Sequence, residues 1–218
     1  MALSNIRASF TLLDGGRRER DLVEFGKRRW YPSFLVHQFN SPLHEDRRTL
    51  VAVAEWSNLS TWSRAEGCVR ELKAKLEAEP EFFVERLKVS SVIPDTRFSP
   101  VRVHGRDPLY LLATQILVLP ESRTPELLEI CRRNGLFVVH DSLSIWERER
   151  NRAWHLSKRF ESEGGVSRAR SSFIAIVAEL TSLGVKMPRD LRLECVLEDS
   201  DPEKDDELIV PCDFTAPR

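Results

Sequence analysis

The period of the apolar positions changes repeatedly along this chain, and each change marks an element. Residues 5–13, NIRASFTLL, alternate loosely between apolar and polar, which suits a first strand, and Gly15-Gly16 end the run. Leu22 and Phe25 then recur at helical spacing with Val23 beside them, which predicts a helix over 17–29. Gly26 weakens that helix and Pro32 ends it. The runs SFLVHQF (33–39) and TLVAVAEW (49–56) are rich in strand formers, and the polar NSPLHEDRR between them predicts a hairpin. Over 60–79, Ala65, Cys68, Val69, Leu72 and Leu76 form one stripe behind a capping Ser60 or Thr61, the pattern of an amphipathic helix.

Four prolines punctuate residues 80–108, with strand-like LKVSSVI and PVRVHG between them, which reads as an insertion of short strands and loops. The pattern then becomes regular. YLLATQILVLP (110–120) is a long apolar run. TPELLEICRRNG (124–135) has Pro125 in the first turn and Asn134-Gly135 as a stop, and LFVVHD (136–141) is a buried-type strand. Strand, helix and strand in this order predict a parallel, right-handed βαβ unit. Helices over 142–162 and 167–183 follow, with Gly184 just past the second. LRLECVL and ELIVPCDF close the chain as a hairpin around an acidic segment, 198–207, that is too polar to pack and is expected to be exposed. No internal repeat is visible.

These elements predict an α/β protein of three layers around a mixed sheet, with a C-terminal helical pair and β-hairpin. The core spans 1–141 with the insertion near 80–108, and 142–218 packs on it.

Composition narrows the picture only a little. With 41% hydrophobic residues and a formal charge of −1, a wholly disordered chain is excluded and global charge does not favour nucleic acid. Local charge is uneven, because Arg crowds 17–29 and 148–170 while 194–207 is acidic. Cys68, Cys131, Cys195 and Cys212 lack CxxC spacing, so no disulfide framework is expected, and Cys68 and Cys131, within helix-like patterns, read as buried free thiols. His37, His44, His104, His140 and His155 have no zinc-ligand spacing, so neither a metal nor a cofactor is expected. No run reaches membrane-span length, and a cytoplasmic location is the expectation.

The order helix, strand, strand, helix, strand, helix, strand over 17–141, with LVAVAEWSN on the second strand, resembles the restriction-endonuclease-like PD-(D/E)xK nuclease superfamily. The resemblance implies metal-binding carboxylates at Glu55 and, less well aligned, Asp46. Ser57 stands where that family has Lys, which implies a catalytically degenerate scaffold because Ser supplies no cation. No appreciable Mg²⁺- or Mn²⁺-dependent cleavage is expected on this reading.

RERNRAWHLSKR (148–159) carries a second resemblance. Arg150, Asn151 and His155 match the Arg-Asn-x-x-x-His motif of HEPN ribonucleases, which implies metal-independent RNA cleavage. On a helix over 142–162, Leu143, Trp146, Ala153 and Phe160 mark an apolar stripe. Arg150 and His155 then lie roughly 140° apart, so they do not share a cleft within one monomer. The other reading is a basic amphipathic helix in which Arg148, Arg150, Arg152, Lys158 and Arg159, continued by Arg168 and Arg170, grip phosphates or a protein partner. The functional expectation is a nucleic-acid-associated, degenerate nuclease-like subunit of a defence or mobile-element assembly. The alternatives are a non-enzymatic protein-interaction subunit and a HEPN-type ribonuclease.

Overall fold

A computed structural model describes residues 4–12, 19–28, 34–41, 44–59, 61–80, 82–93, 106–142, 151–162, 165–187 and 191–203. In chain order the elements are β1 (Ser4–Leu12), α1 (Glu19–Arg28), β2 (Phe34–Ser41), β3 (His44–Leu59), α2 (Trp62–Glu77), β4 (Val84–Val92), β5 (Tyr110–Pro120), α3 (Thr124–Asn134), β6 (Phe137–Asp141), β7 (Asn151–Phe160), α4 (Gly165–Thr181) and β8 (Arg192–Asp199). The strands close into a barrel in the order β1-β3-β2-β6-β7-β5-β8-β4. Every neighbouring pair is antiparallel. Closure gives each of the described strands a neighbour on both sides.

The closed barrel replaces the expected three-layer fold and mixed sheet. The expected βαβ unit exists, but β7 lies antiparallel between β5 and β6. It is therefore a split βαβ, and no parallel ladder forms among the described strands. LKVSSVI is not part of an inserted loop. It supplies β4, a full barrel strand that pairs with β1 and β8. The largest difference is at 151–160, expected as helix and found as β7. The spacing of Trp146, Ala153 and Phe160 mimics a helical stripe, yet 151–160 also alternates. Trp154 and Leu156 face the helical layer and join the main core, while His155 between them faces the barrel interior.

The element order shows a repeat that residue identities hide. β1-α1-β2-β3-α2-β4 and β5-α3-β6-β7-α4-β8 are each βαββαβ units, and in each the strands lie fourth, first, third, second. That is the ferredoxin-like arrangement. The two units meet at β2·β6 and at β4·β8, related by a pseudo-twofold. At the first seam Phe39 pairs with Asp141 and Asn40 with His140, and Ser142 N–H donates to the Gln38 carbonyl.

The helices cover the outside of the barrel. Thr61 caps α2 by accepting from the Arg64 N–H, and Ala65, Val69, Leu72 and Leu76 are buried. Val166, Ala169, Phe173, Ile176 and Leu180 do the same for α4. Gly135 ends α3 at φ +58°, a left-handed position that suits glycine. Cys131 and Cys195 are buried free thiols, and burial pushes the Cys195 thiol up to about 12, beyond useful nucleophilicity. No helix among the described residues is long and apolar enough to cross a membrane. The predicted last strand, 207–214, lies outside the described residues.

Gly26 is explained by packing. A Cβ there would lie 2.3 Å from Cδ1 of Phe34, whose ring packs on Phe25 at 6.0 Å between centroids. Alanine normally strengthens a helix by up to about 1 kcal/mol over glycine. Here Gly26→Ala is expected instead to cost about 1–3 kcal/mol through overpacking, read as a lower urea midpoint with unchanged slope.

Candidate metal centre

Alternation along the strands sends one set of side chains outward to the helices and the other into the barrel. The inward set is unusually polar. His37 on β2, Asp141 at the end of β6 and His155 on β7 converge there, with their ligand atoms all within 4.8 Å of one another. His37 Nδ1 lies 2.8 Å from Asp141 Oδ2, and His155 Nε2 lies 3.1 Å from the same oxygen. Phe39 stacks on the His37 ring at 5.5 Å and 15°, and its ring centroid is 5.1 Å from that of His155. Asp141 is buried at 1% exposure, whereas the His37 and His155 side chains keep 17% and 20%, so the site has an open side.

Electrostatics favour an ionised Asp141 and a neutral His155. Burial works to raise the Asp141 pKa, but hydrogen bonds from His155 and His37 outweigh it and hold the carboxyl well below its ordinary range. Burial dominates at His155 and lowers its pKa, against the raising effect of Asp141. An ionised carboxylate beside a neutral imidazole is the donor state a divalent metal requires. Two ligands about 2.1 Å from an ion and at right angles sit about 3 Å apart, which matches both nitrogen-to-oxygen distances.

A second charged group occupies inward positions of β1, β3, β4 and β8. Arg7 Nη1 donates to Glu194 Oε1 at 2.9 Å, and Arg192 Nη1 donates to Glu55 Oε1 at 2.9 Å. Ser90 Oγ donates to Glu194 Oε2 at 2.7 Å. Burial alone would raise the Glu194 pKa, but the Arg7 charge, the Ser90 hydroxyl and Arg192 lower it. Near the other seam, Arg86 grips Asp199 with Nε–Oδ1 at 2.8 Å and Nη2–Oδ2 at 2.6 Å, and the Tyr110 hydroxyl also donates to Asp199. The acidic stretch expected to be wholly exposed is thus anchored at Asp199.

The residues singled out by sequence scatter across this frame. Glu55 lies inside the barrel, paired with Arg192, and Ser57 is exposed on the same strand. Asp46 falls on β3 with its side chain outside the described part. Arg148 and Arg150 lie outside the described residues. Arg152 pairs with Glu121 at 3.1 Å, Lys158 donates to the Asn134 carbonyl at 2.5 Å, and Arg159 covers the Tyr110 ring at 4.6 Å, all from β7. Arg168 and Arg170 are exposed on α4. Over 151–160 the expected basic helix is instead the strand β7, and His155 sits inside the barrel. The sequence does not group His37 with Asp141 and His155 because the three are far apart along the chain. The available signal was a histidine flanked by apolar residues in the middle of SFLVHQF.

No family model matches the chain, and a search of curated proteins finds no match. Among solved structures it is similar to an anthrone oxidase-like protein, at 12% identity and a TM-score of 0.31, covering 90% of this chain and 92% of that one. It is also similar to a heme-binding protein from Thermus thermophilus, at 14% identity and a TM-score of 0.28, covering 89% and 91%. Likeness this slight says nothing of activity, so the site rests on its own geometry. The closed antiparallel barrel overturns the PD-(D/E)xK resemblance. The nuclease-like subunit, with its nucleic-acid association and defence role, falls with that scaffold. The HEPN reading needs a helix at 150–155, where β7 begins.

Proposed function

We propose that this chain is a mononuclear non-haem metal protein in which His37, Asp141 and His155 hold one divalent first-row ion inside the barrel. The observation that carries this reading is the convergence of two imidazoles and one carboxylate on a partly open site. Two histidines and a carboxylate with open positions are the donor set used for iron(II) in oxygenases, and iron(II) is the metal assigned. The ion would supply Lewis-acid or redox activation of a small ligand at its remaining positions. The chain's own residues orient the donors. Phe39 holds the His37 ring by stacking, and burial keeps His155 neutral. The site also joins the two βαββαβ units, because His37 belongs to the first and Asp141 and His155 to the second.

Protein stripped of metal by a chelator and titrated anaerobically with iron(II), or with cobalt(II) for its visible bands, is expected to take up one equivalent. Loss of a ligand costs more than loss of a supporting residue, so His37→Ala, Asp141→Ala and His155→Ala should each weaken binding by about a hundredfold or more. His140 is next to Asp141 but points to the Trp154 side of the sheet, with ring centroids 5.4 Å apart, so His140→Gln should leave binding unchanged. Binding that survives Asp141→Ala, or no binding at all, overturns the assignment.

A further inference from the structure

The side chains that surround His155 inside the barrel say what kind of ligand the centre takes, an inference that rests on the metal assignment. Ile116 pairs with His155 from β5, and Val139 pairs with it from β6. Side chains directly opposite in an antiparallel pair have Cβ atoms about 4.5–5.5 Å apart, so both touch the imidazole's surroundings. The Phe39 ring closes a third side, 5.1 Å from the His155 ring between centroids. Val51 pairs with His37 from β3. Polar inward residues stand further along the same strands, Ser157 two positions past His155 and Glu55 four past Val51. The wall next to the two imidazoles is therefore hydrocarbon. Part of that wall is open, because Ile116 and Phe39 are partly exposed, as His37 and His155 are. Leu117 and Val36, the next residues outward, pack into the core under the helices, so what Ile116 and Phe39 expose is turned to the interior.

The geometry points to an organic ligand that gives the metal a single nitrogen or oxygen donor and lays an apolar body against Ile116 and Phe39. The ion holds the donor end. Removal of hydrocarbon from water holds the rest, on both the ligand and the wall. A small polar ligand with the same donor atom gains only the first effect, so the site selects for hydrocarbon next to the donor.

The test uses the full-length chain loaded with cobalt(II), with imidazole and 4-phenylimidazole as probes. The two share a donor nitrogen and differ by a phenyl ring. Metal uptake is recorded first from the visible bands, before either probe is added. 4-Phenylimidazole is then expected to change those bands with an affinity about tenfold or more above that of imidazole, the gain from covering one ring. The ratio of the two affinities is read within each variant, so any change in metal binding cancels. Ile116→Thr keeps the branched shape but loses hydrocarbon, and should cut the ratio by about threefold or more. Ile116→Trp fills the space and should remove the preference altogether. Ile174→Thr, at an exposed position on α4 outside the barrel, should leave the ratio as in wild type. Should Ile116→Trp fail to fold, Ile116→Thr decides alone. Equal affinity for the two probes in wild type, or a preference that the Ile116 variants leave intact, overturns the ligand class while the metal centre stands. Absence of cobalt bands overturns the metal centre and this inference together.

Discussion

Replacing Arg86 with methionine is expected to lower the free energy of unfolding by about 3–5 kcal/mol, the cost of leaving a buried charge without its partner. Arg86 is 5% exposed and the Asp199 side chain is fully covered, so water cannot take over the hydrogen bonds that are lost. The pair is bidentate, which matches the planar guanidinium to both carboxylate oxygens. It also spans β4 and β8, one of the two seams where the βαββαβ units close the barrel. A neutral Asn at 199 can still accept from Tyr110, so Arg86→Met/Asp199→Asn should recover a large share of the loss. Urea unfolding measures both variants. A loss below about 1 kcal/mol for the single variant, the ordinary worth of an exposed pair, would remove this interaction from the account of barrel closure.

The same seam shows why local sequence signals stop where they do. They work wherever an element has one wet face and one dry face. Ala65, Val69, Leu72 and Leu76 mark α2, and the φ of +69° at Gly184 follows the helix that its position terminates. The barrel strands defeat that logic, because both their faces are covered. Outward positions such as Leu117 and Leu119 pack under helices. Inward positions carry Arg7, Glu55, His155 and Glu194, which read as solvent-facing when the partner strands are unknown. Hence RERNRAWHLSKR looks like a charged helix, although its middle is a strand whose histidine turns towards the axis.

Strand order is equally hidden. The β5-α3-β6 pattern states that a crossover exists but not that β7 returns between its strands, and that return converts a parallel unit into an antiparallel wall. The triad depends on it. Asp141 meets His155 because β6 and β7 are neighbours, and meets His37 because β2 borders β6 across the seam. None of these adjacencies follows from spacing along the chain, so the histidine spacing carries no metal signal.

Acid is expected to unfold this protein through its buried carboxylates, with the loss beginning near pH 4.3, about the ordinary pKa of an unfolded Glu. Burial by itself would raise the pKa of Glu194 and of Asp199. The Arg7 charge, with Ser90 and Arg192, overcomes it at the first, and hydrogen bonds from Arg86 and Tyr110 overcome it at the second. Both groups are therefore lowered in the folded chain relative to about 4.3 for Glu and 3.9 for Asp in an unfolded one. With the folded value below the unfolded value, the unfolded chain binds more protons across that interval, so stability rises with pH there. The stabilisation is fully present above the unfolded values and is lost as pH falls through the folded ones. Urea midpoints should accordingly change little on account of these groups between about pH 5 and 7 and fall steeply below about pH 4.3. Glu194→Gln should be less stable than wild type at neutral pH yet show a shallower decline in acid, so the two curves converge. Salt should not restore the lost stability, because buried pairs are screened far less than exposed ones. Parallel curves for wild type and Glu194→Gln down to about pH 3 would mean that Glu194 titrates alike in both states, and that its link to Arg7 adds nothing to the fold.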